Sequence, residues 1–170
     1  MASLMEELLD VLGEEEKQYE PLIELGGVKR DAVVNANINV LGDVTTKEQE
    51  AASALLNLSN KRTQILVDMA TVLGKDPQDM TINKMVEYLS NQPKEQELLA
   101  KRRDRLLEVG TQMQILNRQN EALLKQALEM VEFDLTLLRS MRQAPETANY
   151  NKNAYNTGDL LGGGGFDAKQ

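Results

Sequence analysis

Residues 94–142 read KEQELLAKRRDRLLEVGTQMQILNRQNEALLKQALEMVEFDLTLLRSMR, with no proline and one glycine, Gly110. Leu99, Arg102, Leu106, Val109, Met113, Leu116, Asn120, Leu123, Ala127, Met130, Asp134, Leu137 and Met141 follow one another along it at alternating spacings of three and four. That 3.5-residue repeat is the seam of a helix packed on other helices in a left-handed supercoil. At ~1.5 Å per residue the helix would be about 70 Å long. It needs long neighbours, and the sequence upstream supplies two.

The nearer one carries Ala51, Leu55, Leu58, Arg62, Ile65, Met69 and Val72 in the same rhythm. It is expected to start after Gly42-Asp43, capped near Asp43 or Thr45-Thr46, and to stop at Gly74 before Asp76-Pro77. A short amphipathic helix over Thr81–Leu89 follows, and Pro93 suits the first turn of the long helix. The first helix is expected from Ser3, its N-cap in a capping box with Glu6, to Val40. Pro21 and Gly26-Gly27 predict a kink or break in it between Pro21 and Val28. Short connections make consecutive long helices antiparallel. The expected fold is all-α, an elongated antiparallel three-helix coiled-coil bundle over 1–142 with a short extra helix between helices two and three. A flexible, disordered tail is expected over 143–170, where Ala144-Pro145 and a Gly- and Asn-rich run end the periodicity.

Composition narrows the function. The 170 residues contain no Cys, His or Trp, which removes thiol and Ser-His-Asp chemistry and Cys- or His-based metal sites. No catalysis, cofactor or metal is expected. A net charge of −8 argues against a nucleic-acid footprint, and no apolar run is long enough to span a membrane, so a cytoplasmic location is expected. The first 50 residues carry 12 acids and 4 bases, so the basic run Lys101–Arg105 is read as pairing with the acidic first helix. Glu14-Glu15-Glu16 point round a helix rather than converge, and Gly162–Gly165 lacks the G-K-[ST] ending of a phosphate loop. Asn120 and Asp134 read as register or specificity devices on the seam.

Two features point to binding. Beyond Leu123 a second stripe appears, Leu124, Leu128, Val131, Leu135 and Leu138, so the helix becomes apolar round most of its circumference. Its shorter neighbours cannot cover that end, which leaves a docking face; the competing reading is that the fold or a second chain covers it. In the tail, Tyr150 and Tyr155 are two of only four tyrosines and are good anchors for a partner's pocket, against the reading of an inert solvated tail.

The early Glu6-Glu7-Leu8-Leu9 run resembles FlgN-type flagellar export chaperones, as do the segments Leu55–Arg62 and Gln126–Phe133 and the Tyr-Asn repeats after the long helix. The resemblance implies a chaperone of hook–filament junction proteins (FlgK/FlgL type). In that family the third helix holds an apolar terminal segment of the cargo, and a tail Tyr docks on the cytoplasmic domain of the FlhA-type export gate. Carried over, the cargo surface is Leu123, Leu124, Leu128, Val131, Leu135 and Leu138, and the gate contact is Tyr150 or Tyr155. The alternatives are a coiled-coil adaptor that homodimerises through this surface and a secretion chaperone for a different cargo.

Overall fold

A computed structural model describes residues 1–142 with their side chains. Of the tail expected over 143–170, the backbone is described as far as residue 167, within the last helix, whereas its side chains and residues 168–170 lie outside the described residues. The chain forms α1 (Ala2–Val34), α2 (Ile38–Val72), α3 (Ile82–Tyr88) and α4 (Pro93–Asp167), an all-α arrangement. Two units are distinguished, Met1–Leu124 and Lys125–Gln170.

In the first unit α2 runs antiparallel to α1, as the ion pairs Glu15–Arg62 and Lys29–Glu48 show. The first half of α4 runs alongside α1 in the same direction, with Arg105 paired to Glu16 and Asn120 bonded to Gly26. The bundle is up-down-up, with α3 closing one end. There Met5, Leu8 and Leu12 of α1, Ile65, Leu66 and Met69 of α2, Met85 of α3, Leu89 beside it and Leu99 of α4 form the core. Each such buried side chain contributes ~1.5–3 kcal/mol.

The expected break in α1 is absent. The helix continues through Pro21 and Gly26-Gly27 and ends at Val34. The turn lies at Asn35–Asn37, so α2 starts at Ile38 and Gly42 is inside it. Two bonds close α1, Asn37 N–H to Ala32 O at 2.8 Å and Ala36 N–H to Val33 O at 3.2 Å, the Schellman pattern. Ala36 takes the left-handed position at φ 53°, where glycine is the ordinary occupant. Asn37 then caps α2, its Oδ1 accepting from Val40 N–H at 3.2 Å. Thr45 and Thr46, expected as caps, lie in the helix interior and donate back to the carbonyls of Leu41 and Gly42. Ser3 does not cap α1 either; the helix starts at Ala2 after Met1.

Gly26 is retained for contact, not for a turn. A Cβ there would lie 2.4 Å from Leu116 Cδ2 and 2.9 Å from its Cγ, whereas one on Gly27 would meet nothing within 4 Å. Gly26→Ala should therefore destabilise the bundle by ~1–3 kcal/mol, through overpacking. Gly27→Ala should stabilise it by ~0.5–1 kcal/mol, as glycine is costly in a helix interior. Urea denaturation of the two variants checks the opposite signs.

The other boundaries follow their signals. Gly74 sits at φ 65° just past α2, with Lys75 N–H bonded to Ala70 O and Gly74 N–H to Thr71 O. Thr81 caps α3 by accepting from Lys84 N–H at 3.2 Å, and Pro93 opens α4. In α2 the buried face drifts from the strict heptad: Leu66 and Ala70 join Ile65 and Met69 in the core, while Val72 is exposed. A straight helix of 3.6 residues per turn drifts by about 20° per heptad, enough to move the seam over that length.

Candidate functional site

The seam of α4 changes character along its length. Leu99, Met113 and Asn120 are buried, and Leu106, Val109, Leu116, Leu123 and Ala127 are half-buried. From Leu128 onward every described residue is exposed. Leu128, Met130, Val131, Phe133, Leu135, Leu137, Leu138 and Met141 are 47–67% exposed, on one helix, within residues 128–141. An exposed apolar concentration of this kind marks an interaction surface.

The six expected binding residues therefore divide. Leu123 and Leu124 are half-buried in the first unit. Leu128, Val131, Leu135 and Leu138 are exposed along one stripe of the second unit. Met130, Leu137 and Met141, read from the sequence as seam positions, are exposed as well and, with exposed Phe133, belong among the candidate contacts. Heptad spacing with Leu123 and Ala127 was the signal available for the three methionine and leucine positions, and the apolar circumference beyond Leu123 the signal for Phe133. Glu129, Glu132, Thr136 and Arg139 fill the remaining polar arc, with Thr136 Oγ1 donating to Glu132 O at 2.9 Å. Tyr150 and Tyr155 lie beyond the residues whose side chains are described, as does Gly162–Gly165.

The carboxylates of the acidic run diverge, as adjacent helical residues must. Glu14 is exposed, Glu15 is buried against Arg62, and Glu16 meets Arg105 at 3.0 Å and Arg102 at 3.6 Å. Of the basic run of α4, Arg102 and Arg105 thus engage α1, whereas Lys101 pairs with Glu97 and Arg103 with Asp104 and Asn83. Burial pushes the Glu15 carboxyl above the ordinary carboxylate range, while the charge and hydrogen bonds of Arg62 pull against that rise. Asn120 is 3% exposed and donates through Nδ2 to Gly26 O at 2.8 Å, a buried polar tie that fixes the register of α4 on α1. Its Oδ1 has no protein partner among the described residues. Asp134 is exposed. Among the described residues no cluster of three or more acidic, His or Cys groups could hold a metal ion, and no helix is long and apolar enough to cross a membrane.

The family model described as FlgN protein matches residues 1–158. The chain belongs to the FlgN family. Members of this family are flagellar export chaperones. No curated protein and no solved structure matches the FlgN-family chain.

Proposed function

We propose that this FlgN-family chain is a cytosolic, non-enzymatic chaperone of hook–filament junction proteins (FlgK/FlgL type). It holds an apolar terminal segment of the cargo on α4, prevents premature assembly, and delivers the cargo to the FlhA-type export gate through Tyr150 or Tyr155. The contact lies on Leu128, Val131, Leu135 and Leu138, with Leu123 and Leu124 contributing only their accessible edges. The observation that supports this reading is the exposure of these side chains along one helical stripe. A disordered segment that folds onto it removes ~100 Å² of apolar surface per side chain, on the order of 10 kcal/mol for the four at ~25 cal/mol/Å². Ordering the segment consumes ~2–5 kcal/mol or more of that gross gain.

The test is calorimetric titration of a purified junction protein into the full chain and into Leu128→Asp/Leu135→Asp, after circular dichroism shows equal helix content. Placing two carboxylates in the contact should weaken binding more than ~100-fold. Unchanged affinity would move the cargo contact elsewhere. A full chain that binds only itself would favour the homodimerising adaptor, and one that binds only another exported protein would change the cargo.

A further inference from the structure

The exposed part of α4 carries more apolar surface than one partner helix can cover. At the helical 100° per residue, Leu128, Val131, Leu135 and Leu138 form one stripe, and Met130, Phe133, Leu137 and Met141 form another about 130° away. Each has the width of a coiled-coil seam, and together they span an arc of about 220°. All eight side chains are at least 47% exposed. At ~100 Å² each, one stripe supplies roughly 400 Å², half of what one side of a standard protein interface buries, and the two together supply that area.

Asp134 stands between the stripes. Its helical neighbours at three and four residues, Met130, Val131, Leu137 and Leu138, include no cation. This restricts what can lie on the second stripe. A parallel second copy would set Asp134 against its own equivalent, and an antiparallel one, with Met130 opposite Met141, would set it against Leu137. Both bury an acid without compensation. A foreign helix with Lys or Arg at that height meets the requirement.

We propose, building on the cargo reading above, that the junction protein engages α4 with two amphipathic helical segments, one on each stripe. The segment on the Phe133 stripe places a Lys or Arg against Asp134. The α4 helix then becomes one member of a three-helix arrangement whose other two members belong to the cargo.

The experiment is hydrogen–deuterium exchange on a purified junction protein, alone and with the full chain, Leu128→Gln/Leu135→Gln, Phe133→Gln/Leu137→Gln, Asp134→Lys or Asp134→Asn. The expected result is protection of two separate cargo segments by the unmutated chain. One is lost with the first double variant and the other with the second. Asp134→Lys should weaken protection of the second segment by roughly tenfold or more, and Asp134→Asn by less. Protection of a single segment that depends on Leu128 and Leu135 but not on Phe133 and Leu137 overturns the two-segment proposal and leaves the cargo reading standing. So does a Phe133→Gln/Leu137→Gln variant that changes only self-association in sedimentation. No protection by the unmutated chain overturns both.

Discussion

Arg62→Ala should cost the bundle ~3 kcal/mol at neutral pH, the lower end of the range for breaking a buried pair, because the Arg62 side chain keeps 25% exposure. Its Nη1 donates to both Glu15 oxygens, at 3.0 and 2.8 Å, and its Nη2 to Ser59 Oγ at 3.3 Å. Without the guanidinium, a carboxylate that is 4% exposed loses its compensation. The effect has a pH signature. Burial already raises the Glu15 carboxyl, so the folded protein holds that proton more tightly than the unfolded chain does. Its contribution to stability is therefore fully present below the unfolded-state value and declines as pH rises through the folded one. Removing Arg62 removes both influences that lower the folded value, so the decline deepens and extends to higher pH. The gap between Arg62→Ala and the unmutated protein should accordingly narrow on acidification to about pH 4. Urea denaturation at both pH values measures it. A gap of equal size at both would mean that the stranded charge is not its origin.

Ending the chain at Arg142 should abolish binding to the cytoplasmic domain of the export gate while leaving affinity for the junction protein within about twofold, since the proposed anchors of the two contacts occupy separate parts of the sequence. In the full chain, Tyr150→Ala/Tyr155→Ala should weaken gate binding by ~30-fold or more, the scale of losing an aromatic anchor of ~2 kcal/mol or more. Surface plasmon resonance with immobilised gate domain, and in parallel with immobilised junction protein, reads both arms. Loss of both contacts on truncation would contradict a division of labour between the Leu123–Leu138 stretch and the segment after Arg142.

The elements that read well from the sequence are those whose signals act locally. Thr81 and Gly74 each satisfy a backbone group within a few residues, Pro93 removes an N–H that the first turn would leave unpaired, and each marks the boundary it was expected to mark. The Leu99–Asn120 seam also reads well, because a repeat sustained over that distance defines one face. Gly26 misleads because its role is long-range. The penalty of a helical glycine is visible locally, whereas the Leu116 side chain that fills its place comes from 90 positions away. The turn at Ala36 is the converse case. It is set by the cap at Asn37 and by two closing bonds, with no glycine to announce it. Glu15 was hidden among adjacent acids, though Arg62 on an otherwise apolar seam was half of the signal. For the binding surface, the sequence shows the doubled stripe, but only the fold separates half-buried Leu123 and Leu124 from exposed Leu128, Val131, Leu135 and Leu138.

The exposed leucines of α4 are carried by a molecule with a net charge of −8. Between two copies the electrostatic force reaches about 8 Å at physiological salt, beyond the range of apolar contact. Residues 125–142 carry three bases and three acids, so that repulsion acts on the acidic remainder of the molecule and leaves the apolar stripe itself electrically neutral.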